Sequence, residues 1–256
     1  MAETEEQEQS FLSHLIELRT RIIRAAASVL VVFLALSPFM NRIFDLLSLP
    51  LMSALPQGTK LLATGVIAPF FVPLKVTLFL AFVLALPFVL YQVWAFVAPG
   101  LYPHERRLAG PVILSSVLMF VAGVAYCYFF VFNVVFHFIA GFAPASVSVA
   151  PDIDAYVGFV LGMFLGFGGA FELPIVVLLL VRFGVVTIQK LTEVRRYVIV
   201  GAFLVAAIFT PPDALSMMLL AIPLCVLYEV GIVAARLFGK RTVPPDEVAA
   251  PAADGS

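Results

Sequence analysis

Long apolar runs separated by short polar or proline-rich breaks dominate the chain. Six can be drawn, over Ile22–Met40, Ala68–Val97, Leu108–Phe138, Val157–Val181, Tyr197–Thr210 and Ala214–Ala235. About twenty apolar residues carry a helix across a hydrocarbon core of about 30 Å. The pattern therefore predicts an all-α polytopic membrane protein, with six transmembrane helices over residues 22–238. The fifth run is short and rises only about 21 Å, so its neighbours should tilt or the bilayer should thin there. Before the first run, Ser10–Arg24 puts Phe11, Leu12, Leu15, Ile16 and Leu18 on one broad face. Glu17 precedes Arg21 by four residues, the order that favours a helical ion pair. Residues 1–21 thus read as a segment with an interfacial amphipathic helix, and 239–256, rich in Pro, Ala and Asp, as a disordered tail.

The fourth run organises the rest. Its middle reads Gly166-Phe167-Gly168-Gly169-Ala170-Phe171-Glu172-Leu173-Pro174, with one carboxylate well inside it. A charge at that depth costs roughly 2.5–3.5 kcal/mol on insertion scales, so it faces a partner, a polar cavity or water. Pro174 lacks an amide hydrogen and deprives the carbonyl of Ala170 of its helical bond, which predicts a bend. Gly158, Gly162, Gly166 and Ala170 recur every four residues, a small-residue ridge that suits close helix approach. At about 100° per residue Glu172 points away from that ridge.

The breaks between runs carry the remaining chemistry. Asn41–Ile67, with Pro50, Pro56 and Gly58, reads as short helices on the membrane surface. The second run starts with Pro69 and Pro73 and holds Pro87, where a kink is expected. Lys75, near its start, is placed to reach lipid headgroups. The connection from Trp94 to Arg107 contains Pro99, Gly100 and Pro103, which forbid a simple helical hairpin, and sets Glu105 among basic residues. Thr210-Pro211-Pro212-Asp213 makes a tight turn in which Asp213 can cap the sixth helix. Glu229, seven residues before Arg236, reads as interfacial.

Composition adds class and sidedness. The chain is 62% hydrophobic and 12% charged over 256 residues, with a mean hydropathy of +1.09. A soluble domain of this size could not hide so much apolar surface. Twelve of the fifteen Lys and Arg residues fall in the two terminal segments and the connections after the second and fourth runs. Both ends are therefore expected in the cytoplasm. Cys127 and Cys225 sit inside apolar runs and read as small hydrophobes. His14, His104 and His137 lack ligand spacing, so neither metal nor cofactor is expected. The acidic N-terminus lacks the basic flank of a cleavable signal peptide. No phosphate-binding loop and no nucleophile with an adjacent base appears, so no enzymatic activity is expected.

Together several stretches resemble one family, TatC, the polytopic subunit of the twin-arginine protein translocase. They are His14-Leu15-Ile16-Glu17-Leu18-Arg19, Trp94 to Arg107, Phe171-Glu172-Leu173-Pro174, and Thr210-Pro211-Pro212-Asp213 with Ala221-Ile222-Pro223. The likeness covers about residues 10–238. It implies six spans in a concave, cup-like arrangement in the bacterial inner membrane. It also implies a subunit without its own ATPase that recognises folded cargo through a signal peptide with consecutive arginines, and depends on the proton-motive force. Glu105 with Phe96, and Glu17 with Arg19, would form the signal-peptide site, since a guanidinium pair suits charge-assisted, bidentate carboxylate bonds. Glu172 would be the acid on the concave face. It would be open to the signal peptide or to the single-span partners TatA and TatB, with Asp213, Ser216 and Met217 forming a polar docking site beside it. Pro174 and Pro87 would be hinges, and the remaining partners would be other TatC copies and the lipid bilayer, with no nucleic acid. Met217 departs from the family, which commonly carries glutamine there, and a thioether is a poor acceptor.

Two readings from other classes compete. In a proton-coupled small-solute transporter Glu172 would carry the proton, but such folds often repeat the interrupted helix in both halves, and here an acid-bearing kinked run occurs once. An intramembrane protease would need paired aspartates, a Ser–His pair or a metal motif within the bilayer, and none is present in the runs.

Overall fold

A computed structural model describes residues 2–55, 60–97, 109–142, 151–210 and 213–238. Ten helices are described. They are α1 (Ala2–Leu36), α2 (Met40–Ala54), α3 (Ala68–Val97), α4 (Ala109–Tyr126), α5 (Phe132–Phe142), α6 (Ile153–Phe171), α7 (Leu173–Arg182), α8 (Ile188–Glu193), α9 (Arg195–Phe209) and α10 (Ala214–Phe238). The only extended pairing among the described residues is a single parallel bridge between Leu62 and Asp152. Five stretches are long and apolar enough to cross a membrane: Leu15–Ala54, Ala68–Phe96, Gly110–Gly141, Ile153–Arg182 and Ala214–Phe238. The fifth expected span is α9, whose 15 residues rise about 22 Å and fall short of that length. The chain divides into two compact units, Met1–Gly168 and Gly169–Ser256.

The first unit is a layer of helices around phenylalanine. α1 runs unbroken through the expected interfacial segment into the first span, so no joint separates the two. It ends where Pro38, in a 3-10 turn over Ser37–Phe39, interrupts the helical bonding. The expected surface helices after it are one 15-residue helix, α2, which buries Leu47, Ser48 and Leu51 and lies against α3 and α5. Two phenols fasten it: Tyr128 donates to the carbonyl of Leu46 and Tyr156 to that of Leu47, both at 2.7 Å. α3 matches the expected second span end to end, and its helical assignment continues through Pro73 and Pro87. α4 and α5 are joined by a π turn, Cys127–Val131. Phe132, fully buried, meets Phe136 and Phe164 at centroid distances of 5.3 Å each, and Phe164 stacks on Phe79 at 5.6 Å.

One close approach in α6 lies off the expected small-residue ridge, of which Gly166 and Ala170 are buried. A β-carbon on Gly158 would meet nothing within 4 Å, whereas one on Gly168 would stand 2.6 Å from the ring of Phe120. Gly158 is on the ridge but exposed, and Gly168, off it, is where the ring of Phe120 comes closest to the backbone.

In the second unit α10 packs on α7 and α9. Val177, Val181, Leu191, Tyr228, Ile232 and Ala235 form its core. α7 ends in a Schellman motif: Gly184, at φ +70, donates to the carbonyl of Val181 at 3.1 Å, and Val185 donates to that of Leu180 at 3.0 Å. The chain turns there into α8, capped by the Thr187 side chain, which accepts from the amide of Lys190. Residues 239–256, expected to be a disordered tail, lie outside the described residues.

Candidate functional site

Three polar clusters interrupt this apolar scaffold. The first sits where α1 passes α3, in the first unit. Glu17 Oε1 accepts two bonds from Arg21, from Nε at 3.0 Å and from Nη2 at 2.6 Å. Helical periodicity stacks the two residues. Arg21 Nη1 reaches Gln92 Oε1 on α3 at 3.5 Å. Gln92 is buried at 4% exposure, so the contact provides an amide with a partner at the helix interface. Among the described residues Glu17 Oε2 accepts no bond, and the Glu17 side chain keeps 36% of its surface exposed. Phe96 follows Gln92 by four residues on α3 and is half-buried. Arg19 is exposed and stands about 200° around α1 from Glu17; the ion pair is that of Glu17 with Arg21, the one the four-residue spacing predicts. Glu105 lies outside the described residues.

The polar groups of the second unit lie at three places, the break before α7, the start of α10 and the face between α9 and α10, and were expected in part. In the second unit the helix breaks at Glu172: α6 ends at Phe171, and α7 starts with Pro174 in its first turn. Glu172 donates its amide to the carbonyl of Gly169 at 3.1 Å, and its own carbonyl accepts from Ile175 and Val176 at 3.0 Å each. The break is the one Pro174 requires, because the proline cannot donate to the preceding turn. Glu172 is half-buried, with Oε1 inaccessible. At the start of α10, Asp213 Oδ1 accepts the amide of Ser216 at 2.7 Å, the expected cap. Ser216 is fully buried. Among the described residues neither Asp213 Oδ2 nor Ser216 Oγ has a hydrogen-bond partner. Met217 is half-buried beside them. Glu229 does not simply lie at an interface: it accepts from Arg195 Nη2 of α9 at 2.6 Å.

The third cluster joins the segments that precede α3 and α6. Leu62 donates to the carbonyl of Pro151 at 2.9 Å and accepts from Ile153 at 2.8 Å. Asp152 Oδ2 takes the hydroxyl of Thr64 at 2.6 Å and its amide at 3.2 Å, while Oδ1 caps α6 through the amides of Asp154 and Ala155. These bonds, that of the Thr64 hydroxyl foremost, hold the Asp152 carboxyl down to about 2. The ammonium of Lys75 bonds Asp154 at 2.7 Å in a half-exposed pair.

Sequence reasoning missed Gln92, Asp152 and Arg195. Gln92 had a signal, being the one amide side chain in the whole of Ala68–Val97. The other two act across distant segments, which spacing within one helix cannot reveal.

The family model described as Sec-independent protein translocase protein (TatC) matches residues 13–223. A protein of that name from Halothiobacillus neapolitanus is 49% identical over 90% of this chain, which spans 63% of that protein's length. The Escherichia coli K12 protein of the same name is 46% identical over 91% of this chain and 90% of its own. A crystal structure described as that of the twin-arginine translocase receptor TatC superposes with a TM-score of 0.76 at 36% identity, covering 88% of this chain and 98% of that one.

Proposed function

The chain belongs to the TatC family of Sec-independent protein translocase proteins, and from that premise we propose that it is the receptor subunit that binds twin-arginine signal peptides on the cytoplasmic face. The observation that carries this reading is the carboxylate of Glu17. Arg21 grips it through one oxygen, the other accepts no bond among the described residues, and the side chain is 36% exposed, at the end of α3 that leads to Phe96. A signal-peptide guanidinium can add to the second oxygen without displacing Arg21, because a carboxylate offers about four acceptor sites. Glu105 supplies a second acid for the second arginine, and Phe96 an apolar wall for the residues beside it.

Six spans with both termini in the cytoplasm fit the basic residues, with α9 as a short fifth crossing. Glu172 is the acid open to the signal peptide or to the single-span partners. Asp213 Oδ2 and Ser216 Oγ are polar groups at the start of an apolar helix with no partner among the described residues, and buried polar groups are costly unless partners satisfy them. They suit docking of the single-span subunits TatA and TatB or the inserted signal peptide, and export draws on the proton-motive force.

The deciding experiment is binding of a fluorescent signal peptide to the purified full chain. An Arg-Arg peptide should bind and its Lys-Lys counterpart should bind much more weakly, with crosslinks from positions 96 and 105. Equal binding of the two peptides would overturn the assignment.

A further inference from the structure

A cleft of about 540 Å³ opens in the first unit among α2, α3, α4, the π turn and α6. Its wall includes Ile43, Leu46, Pro87, Ala125, Phe129 and Phe164. The phenol of Tyr128, also in the wall, is already occupied by the carbonyl of Leu46, so nothing polar is left to recognise a peptide backbone. The π turn shapes it: the extra residue in that turn brings Tyr128 and Phe129 to the wall together, ring on edge at 4.9 Å. Most of the lining lies within span-length apolar stretches, and its rim residues Leu84 and Phe129 are 55% and 75% exposed. The cleft therefore opens to hydrocarbon.

Size and charge decide the occupant. A helix about 10–12 Å across, rising 1.5 Å per residue, would fit only roughly three to five residues into that volume. A single acyl chain is the slimmer ligand and is present at solvent concentration in a bilayer. Since the bilayer is as apolar as the cleft, chain burial alone gains little beyond packing, and selection falls to the headgroup. Arg42 is exposed, adjacent to Ile43 and one turn before Leu46, both of which line the cleft, and about 40° around α2 from Leu46. It has no ion-pair partner among the described residues. Asp45, the other charge on α2, points about 150° away from the wall-forming side of that helix.

We infer that this cleft holds one acyl chain of an anionic phospholipid whose phosphate rests on Arg42. The site is separate from the peptide-binding reading and stands or falls without it. The test is native mass spectrometry of the full chain in mild detergent with equal phosphatidylglycerol and phosphatidylethanolamine. The chain should retain phosphatidylglycerol in preference. Arg42→Gln should reduce that preference about fivefold, the factor one basic residue gains at an anionic surface. Ala125→Phe should fill the cleft and reduce retention of both lipids about tenfold; Val121→Phe, at the rim, does the same should Ala125→Phe fail to fold. Unchanged retention in the filled variants, or a preference that survives Arg42→Gln, overturns the inference. So does retention that disappears when a single-span partner is added, which would assign the cleft to a partner side chain.

Discussion

Gly231 of α10 lies directly on Pro174 of α7: a β-carbon there would stand 3.0 Å from the proline Cα and 3.0 Å from Cβ of Val177. Both neighbours are backbone or backbone-proximal, so neither can swing aside. Gly231→Ala should therefore destabilise the chain by about 1–3 kcal/mol and lower its melting temperature in detergent. Because Pro174 is two residues from Glu172, the same variant should disturb partner docking. Gly158→Ala is the contrasting case. With nothing within 4 Å of the added carbon, it should be neutral or stabilising by up to about 1 kcal/mol, as the helix gains from losing glycine. A Gly158→Ala variant less stable than Gly231→Ala would make Gly158 a packing position after all.

Asp152 gives the chain a pH dependence of known sign. Its carboxyl is held from 3.8 to about 2 by the bonds from Thr64, Ala155 and Asp154. A group lowered on folding contributes its stability in full above its ordinary range, and that contribution fades as pH falls toward the lowered value. Protection of the amides of Leu62 and Thr64, corrected for the intrinsic pH dependence of exchange, should thus be high at pH 5 and fall between about pH 4 and pH 2. Asp152→Asn should remove that fall and leave protection low throughout. Unaltered pH dependence in that variant would mean another group controls the bridge.

The apolar pattern made the spans legible because lipid imposes one rule on every backbone group, internal hydrogen bonding, and helices answer it. Ala68–Val97 is helical to both ends as read, and Glu172 with Pro174 marks the break. What stayed hidden was side-chain choice across helices. Lys75 finds Asp154, and Glu229 finds Arg195, over separations of 79 and 34 residues. Spacing within α1 already selects Arg21 over Arg19 as the partner of Glu17; its reach to Gln92 of α3 is what spacing does not show. The π turn at Cys127–Val131 carries no proline or glycine to announce it.

Ser216 separates folding from docking. Its Oγ is buried and has no partner among the described residues. A hydroxyl in that condition contributes nothing to the isolated chain, so Ser216→Ala should change the melting temperature little or raise it. Co-purification with a single-span partner should fall if that partner's polar side chain satisfies the hydroxyl. Asp213→Ala should behave differently, losing about 1 kcal/mol because the cap on the amide of Ser216 goes with it. Full partner recovery with Ser216→Ala would remove this serine from the docking site.

Glu17 and Arg21 yield the sharpest test of the receptor reading. Glu17→Gln keeps the shape of the side chain and an acceptor oxygen but loses the charge that makes a guanidinium bond strong, a difference of about 1.5–3 kcal/mol. Binding of an Arg-Arg peptide should weaken roughly tenfold or more. The fold should hold, since a half-exposed pair such as Glu17 with Arg21 contributes at most about 1 kcal/mol. Arg21→Gln probes the geometry rather than the charge. Arg21 occupies Oε1 through both of its bonds, and a peptide arginine using Oε2 does not compete with it. Peptide affinity in Arg21→Gln should therefore stay within about threefold of the unmodified chain, under 1 kcal/mol. Isothermal titration of the two variants distinguishes the cases. If Arg21→Gln tightens binding as strongly as Glu17→Gln weakens it, the two arginines compete for one oxygen and the shared-carboxylate arrangement is wrong.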